Sequence, residues 1–572
     1  MKNESTKMET LEVKFQISFK GLFGQENNSE SIDKLISTLP SKKTIEYVSS
    51  MHLLKSNQII VQTDFEFFNN FLFSKIDLDL KESIECGIQD AKKKDYNFID
   101  NVALLILLEK LLTNHNNNNN ELSENDYSNL MKAYLICCDE RISLSTVVID
   151  EKMNADSFVR IYLPEKIKYD DVDYKDIRVE LIRAYMFMDF CGRNDTFKPL
   201  FEIYLDRMNI NNWEESLFFI IDLNNRIENS DKQFCGIKIT SDSYMKIYLD
   251  AMSVDVNNYK SSSDFTNLRK KPVYYQGDNK YNILNINFYI DKLFQSFLFD
   301  FANVLAMHYN VEFKDSYGNL KSKIGKEFSE KFLFYIVMEG CFKKYAKMIS
   351  GQELEEPLNG GEPDYYLRRN KNIFLFEFKD VMLNAKTKHC NDFEIIKEKL
   401  LIEFERCNCR KKKPQDKGIT QLLNVNMNKL DKIINEIDKV ESSEGLNIFP
   451  VIIYQDCNFD IEGINYILNN RFKELLKSRK IPNHYIVKDL VIFSLTTLIQ
   501  LEDLFSEGRL DLEQIIMKYF TYCSHSERNK TTPFYKFILR YAINEKGYNQ
   551  EKTKRYDDII NSLEKTIIKQ AP

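Results

Sequence analysis

At 572 residues the chain is too long for one ordinary core, and 43% hydrophobic with 29% charged residues marks it as globular, excluding a disordered chain. Its net charge of −7 does not advertise a nucleic-acid binder, although a global sum hides local patches. Eleven cysteines without a repeating spacing read as free thiols, the N-terminal Met1–Ser5 is polar, and the longest apolar run, Val102–Leu108, stops at Glu109-Lys110, so the expectation is a cytoplasmic protein with no membrane span.

In chain order, Ile32, Leu35 and Ile36 and then Leu104, Leu107, Leu108, Leu111 and Leu112 recur at helical spacing. Asn116 to Asn120 is a polyasparagine loop tip by composition. Arg178–Phe190 and Trp213–Ile227 predict further helices, and Lys260-Ser261-Ser262-Ser263-Asp264 is the best linker candidate. Beyond it, Asn282–Leu305 and Phe328–Ala346 predict helices. Short strands are then expected at Tyr365–Leu367, Ile373–Phe378, Phe449–Tyr454 and Leu490–Phe493, before a helical C-terminal part, Asp511–Lys569. Alternating helices and strands mean an α/β fold, a mixed sheet flanked by helices. The expected division is a mostly helical domain over 1–265, a sensor, regulatory or oligomerisation module, and an α/β domain over 266–572 with its core at about 318–500.

The informative stretch runs from Gly361 to Lys379. From Ile373 the residues alternate, with Phe374, Phe376 and Phe378 on one face and Ile373, Leu375, Glu377 and Lys379 on the other. Tyr365–Arg368 makes a partner strand, and Asn370 tolerates the left-handed backbone of a tight turn. A turn centred between Asn370 and Lys371 sets Asp364 opposite Glu377, with Cβ atoms ~4.5–5.5 Å apart. Two carboxylates that close repel unless a cation bridges them, and their hard oxygens suit Mg²⁺ or Mn²⁺. Lys379 points the same way as Glu377, where an amine can hold an attacking water and neutralise phosphate. The plain alternative is an exposed ion pair on a surface hairpin.

Pro363-Asp364, twelve intervening residues and then Glu377-Phe378-Lys379 resemble the PD-(D/E)xK nuclease superfamily. The preceding Ile324-Gly325-Lys326-Glu327-Phe328-Ser329-Glu330 looks like the helix that brings an acidic residue to the site in that family; Glu330 is the first candidate and Glu327 the second. Lys417-Gly418-Ile419-Thr420-Gln421 is similar to the family segment carrying a site glutamine, and Asn447–Tyr454 to the next core strand. The resemblance implies a restriction-endonuclease-like fold and a Mg²⁺-dependent endonuclease acting on DNA rather than RNA, in the manner of prokaryotic defence against phage or plasmids. It implies Asp364, Glu377 and the main-chain carbonyl of Phe378 as metal ligands, with Lys379, Glu330 and Gln421 completing the site. A homo-oligomer or partner protein would be met through the N-terminal domain. The rival classes are a site-specific restriction or repair nuclease, and a non-catalytic sensor or scaffold built on a nuclease fold.

Other features are weaker. His389-Cys390 and Cys407-Asn408-Cys409 lack the usual zinc spacing. Arg406, Arg410, Lys411, Lys412, Lys413 and Lys417 form the densest basic cluster and a candidate phosphate contact. Ser524-His525-Ser526 and His308 have no catalytic partner motif, and no phosphate-binding glycine-rich loop ending in Gly-Lys-Ser/Thr is present.

Overall fold

A computed structural model describes residues 16–24, 31–56, 63–143, 153–169, 172, 175–229, 236–240, 245–262, 264–344, 346–407, 415–441, 445–455, 457–479, 481–549 and 553–570. The chain forms two compact units that interleave along the sequence. The first comprises Met1–Ile149, Asp171–Lys175 and Phe219–Ser296; the second comprises Asp150–Asp170, Asp176–Phe218 and Phe297–Pro572. The single division placed at residue 265 above therefore falls inside the first unit.

The first unit is mainly helical. Helix Asn101–Thr113 buries nearly its whole length, Leu104, Leu105, Leu108 and Leu112 being fully enclosed, and packs against Ser41–Ser56 on one side and Glu124–Ser143 on the other. The polyasparagine stretch is a loop, as its composition predicts, but a tied one. Asn116 donates its side-chain amide to the carbonyls of Leu39 (2.7 Å) and Ser37 (3.2 Å), and the N–H groups of Asn118 and Asn120 bond the side-chain oxygens of Asn116 and Asn118. The unit also holds a sheet that periodicity did not reveal. Strands β1 (Gly236–Lys238), β2 (Val273–Gly277) and β3 (Lys280–Ile283) pair antiparallel in the order β1-β3-β2.

The serine-rich segment is not a linker, because the buried Glu109 carboxylate accepts from the Tyr259 hydroxyl (2.6 Å) and the Ser262 N–H (2.8 Å) and holds it against the unit. The helix expected over 282–305 begins as β3. It resumes only at Ile286–Ile290, where the Asn285 side chain caps the Phe288 N–H, and at Gln295–Tyr309.

The second unit is built on a six-stranded mixed sheet flanked by helices. Strands β4 (Lys347–Ser350), β5 (Tyr365–Arg369) and β6 (Asn372–Lys379) run antiparallel. A small two-residue ladder, β7 (Arg406–Cys407) with β8 (Gln415–Asp416), precedes β9 (Leu446–Tyr454), which lies parallel to β6 along its full length. Strand β10 (Tyr485–Val487) pairs in parallel with the start of β9, and β11 (Val491–Ser494) with its end. All four strands expected from the sequence in this unit are present; β4 and β10 in the large sheet and the short β7–β8 ladder are additional.

Central placement explains β6. Held between β5 and β9, it is buried on both faces, and its phenylalanines interlock with neighbours: Phe374 stacks on Phe449 (4.8 Å between ring centres) and Phe378 on Phe334 (5.0 Å). Phe334 ends a widely wound helical segment, Ile324–Phe334, that continues as Tyr335–Phe342. Phe328 of that segment is gripped by Phe187 and Phe190 of helix Ile177–Arg193 (4.9 and 5.5 Å). Among the described residues, no helix is long and apolar enough to cross a membrane.

Candidate active site

The β5–β6 hairpin has the register that the sequence predicts. Tyr365 pairs with Phe376 and Arg369 with Asn372, and Asn370 in the turn has φ +54°. One step further sets Asp364 against Glu377, with Asp364 Oδ2 accepting from the Phe378 N–H at 2.6 Å. The exposed-hairpin alternative does not describe this place. The Glu377 side chain is 0% exposed, and those of Lys379 and Asp364 are 14% and 15%.

Lys379 gathers the site. Its Nζ lies 3.0 Å from Glu377 Oε2, 3.0 Å from the Phe378 carbonyl oxygen, 3.4 Å from Gln421 Oε1 and 3.8 Å from Asp364 Oδ2. Burial pushes the Lys379 amine down, but the charges of Glu377 and Asp364 outweigh it and hold the group above its ordinary range. The expected residues Asp364, Glu377, Phe378, Lys379 and Gln421 therefore meet around one cationic centre.

Of the two candidate glutamates, Glu327 is exposed and Glu330 half-buried. Burial and then the Asp364 charge push the Glu330 carboxyl up to about 7, with Lys379 opposing. Glu330 is thus the acid that feels the site. Gln421 is carried by the short helix Gly418–Gln421, whose start needs glycine. Gly418 has φ +37°, and a Cβ there would stand 2.4 Å from the Phe404 carbonyl oxygen.

Several contributors escaped the sequence reading. Gly351 begins helix Gly351–Leu358 and donates its N–H to the Asp364 carbonyl (2.9 Å). A Cβ there would meet the carbonyl oxygens of Pro363 and Asp364 at 2.9 and 3.0 Å. Asp380 follows the motif directly and is held by Lys321 and by the Ser329 hydroxyl (2.9 Å). Tyr335 is raised by burial and then by Asp364, Glu330 and Glu362; Glu362 Oε2 is buried without a hydrogen-bond partner among the described residues. Adjacency to the motif could have flagged Asp380 and Glu362, whereas Gly351 and Tyr335 carry no local signal.

Other candidates disperse. Arg406 pairs with Asp416 (3.8 Å) and Lys417 with Glu403 (3.0 Å), while Arg410–Lys413 and Cys409 lie outside the described residues. Cys390 is a half-buried free thiol, and His308 and His525 are exposed. No group of three or more His, Cys, Asp and Glu side chains is arranged for a metal among the described residues.

The donor set can nonetheless be tested for a hard cation. Glu377, Asp364 and the Phe378 carbonyl are all oxygen donors, and all three already converge within 3.8 Å of one ammonium nitrogen. Oxygen chemistry and an excess of carboxylates over cations fit Mg²⁺ or Mn²⁺ better than a soft metal. Set against protein-family models, curated proteins and solved structures, the chain matches none of them.

Proposed function

We propose that the chain is a metal-dependent nuclease of the PD-(D/E)xK superfamily, with the second unit as its restriction-endonuclease-like domain. It would hydrolyse phosphodiester bonds, in DNA rather than RNA. The observation carrying this reading is the convergence of Asp364, Glu377, the Phe378 carbonyl and Gln421 on Lys379 Nζ at the end of β6. Asp364, Glu377 and the Phe378 carbonyl would hold one or two Mg²⁺ (or Mn²⁺), which supply Lewis-acid stabilisation of charge on the phosphoryl oxygens. The Lys379 amine donates to the attacking water and orients it, and its positive charge offsets the phosphate. Gln421 Oε1 and Glu377 Oε2 fix the amine's direction. Gly351, under the Asp364 backbone, sets the height of that carboxylate.

The biological role that goes with this reading is prokaryotic defence against phage or plasmids, in the cytoplasm, with the first unit as regulator, sensor or oligomerisation surface. The test is incubation of the full chain with plasmid and Mg²⁺, with and without EDTA. Asp364→Ala and Glu377→Ala should abolish cleavage, and Lys379→Ala should lower turnover more than substrate affinity. Wild-type cutting in EDTA, or by both Asp364→Ala and Lys379→Ala, would overturn the proposal in favour of a buried structural ion cluster or a non-catalytic scaffold.

A further inference from the structure

Beside the site lies an aromatic face that the hydrolysis of a phosphodiester does not by itself require. Phe299, on helix Gln295–Tyr309, stacks on Tyr317 of helix Phe313–Lys323 at 4.6 Å between ring centres and 8° between planes. Phe313 lies 5.8 Å from Tyr317 at 20° and 6.5 Å from Phe299 at 21°. The three rings are close to parallel, yet Phe299 is 37% and Phe313 41% exposed. The Ser316 hydroxyl donates to the Ala302 carbonyl (2.8 Å) and locks the two helices together, so the stack is preformed. Exposed apolar rings grouped in one place mark an interaction surface, whereas scattered ones do not.

Two links tie this face to the site. The Tyr317 hydroxyl donates to Met382 Sδ (3.8 Å), and Met382 stands three residues after Lys379, a span of at most ~11 Å. On the same helix Lys321 pairs with Asp380, the residue following Lys379. Glu312 and Asp315 lie at the helix start, but from Ser316 to Lys326 the chain carries Lys321, Lys323 and Lys326 and no acid. Lys323 and Lys326 are exposed, as is Lys386 just beyond Met382.

We propose that Phe299, Phe313 and Tyr317 form a stacking platform for unpaired bases of a single-stranded nucleic acid whose backbone follows Lys323 and Lys326 toward Lys379. The inference rests on the nuclease reading and adds the substrate class. Flat aromatic faces accept any base by stacking, and a lysine border neutralises phosphates; protein interfaces, by contrast, are depleted in lysine. Bases paired inside a duplex present no free face to such a platform.

The test is fluorescence anisotropy in EDTA with the full chain and labelled oligonucleotides longer than one ~4–16-nucleotide footprint. Three probes are compared, a single strand, the same sequence as a blunt duplex and an abasic strand, with each labelled probe in the absence of protein as control. The single strand should bind more tightly than the duplex. The Phe299→Ala/Phe313→Ala double variant should lose about 10-fold or more for the single strand and little for the duplex. The abasic strand should bind wild type as weakly as the intact strand binds the double variant. Phe299→Leu/Phe313→Leu, which keeps apolar packing but removes the rings, should show the same loss and so excludes misfolding as its cause. Equal binding of the intact strand by wild type and double variant overturns the proposal, as does full-strength binding of the abasic strand. A change in sedimenting mass without a change in affinity would make the face a contact between copies of this chain, and also overturns it. If plasmid is still cut under any of those outcomes, the nuclease reading survives; if no nucleic acid is bound or cut, both readings fall.

Discussion

Replacing Lys379 by methionine removes the cation on which the donor oxygens of the site converge while keeping most of the side-chain volume. Glu377 would then be a fully enclosed carboxylate whose partner at 3.0 Å has gone. At that distance the gross attraction is roughly 5 kcal/mol for an effective dielectric near 20. Removing one member of a buried pair costs ~3–5 kcal/mol, because the remaining charge loses its counter-ion. Because the chain has two compact units, a single melting temperature averages over both, so hydrogen exchange at the β6 amides is the suitable assay. In the absence of metal, protection there should fall by about 10²- to 10⁴-fold. The double variant Glu377→Gln/Lys379→Met, which removes the enclosed Glu377 charge together with its partner and leaves Asp364, part-exposed, as the nearest carboxylate, should recover most of the loss. Mg²⁺ should also restore part of the protection in Lys379→Met, by up to ~2.7 kcal/mol when its concentration is a hundred times its dissociation constant. Unchanged protection in Lys379→Met, or a double variant as open as the single one, would refute the buried-pair reasoning. Failure of the Mg²⁺ arm alone would refute only the metal reading.

Gly351→Ala should push the Pro363–Asp364 backbone by about 0.5 Å to reach ordinary contact, since the atoms it meets at 2.9 and 3.0 Å are main-chain oxygens; a cost of ~1–3 kcal/mol and a cleavage loss of about 10-fold or more are expected, read by hydrogen exchange at the β5 and β6 amides and by plasmid cutting. Gln421→Ala removes only a 3.4 Å contact to Lys379 and should lower turnover a few-fold (~2–5-fold), less than any change at Asp364 or Glu377. Ca²⁺ should protect β6 against exchange without supporting cleavage, because its looser coordination places the water poorly. Asp460 offers a pH test away from the site: buried beside Tyr454 and Ser494, its carboxyl is pushed up to about 7, chiefly by burial. A raised carboxyl stabilises the fold while protonated, so stability from this group is complete below about pH 4 and is lost as pH rises toward 7. Hydrogen-exchange protection of the β9 and β11 amides in wild type, corrected for the intrinsic pH dependence of exchange, should decline over that window relative to Asp460→Asn, and a constant difference between the two would refute the assignment.

The site was legible where local chemistry decides geometry. Alternation from Ile373 to Lys379 and a left-handed Asn370 both specify the hairpin register, and a one-residue slip would have turned Glu377 to the wrong face. Features that depend on distant chain were not legible. Strands β4 and β10 are three or four residues long, too short for a period, and exist because β5 and β9 offer them edges. Gly351 matters through a backbone passing at 2.9 Å, and nothing in its neighbours says so. Helical spacing ranks Glu330 before Glu327 only weakly, because Ile324–Phe334 is wound wider than an α-helix and shifts which residues share a face. The serine-rich run misled for a related reason: Glu109, some 150 residues away, supplies the acceptor that keeps it packed.

Burial bears on what the charges at the end of β6 are for. On a surface, a Glu–Lys pair two positions apart would contribute little, ~0–1 kcal/mol, and would call for no explanation. Enclosed, the same pair must offset the loss of hydration on both groups, and well-packed apolar side chains of similar volume generally do as well or better. Strand β6 already fills Phe374, Phe376 and Phe378 with rings that interlock with Phe334 and Phe449, so apolar packing is available at this depth of the sheet. Stability therefore gives no reason to set Glu377 and Lys379 there, still less to bring Asp364 to the same point and leave Glu362 Oε2 buried without a partner among the described residues. Groups that cost stability where they stand are expected at sites of chemistry, since an enclosed, preorganised set of charges acts on a reacting phosphate far more strongly than one in water. The energetic disadvantage of the cluster as a structural element is thus an argument for a catalytic one.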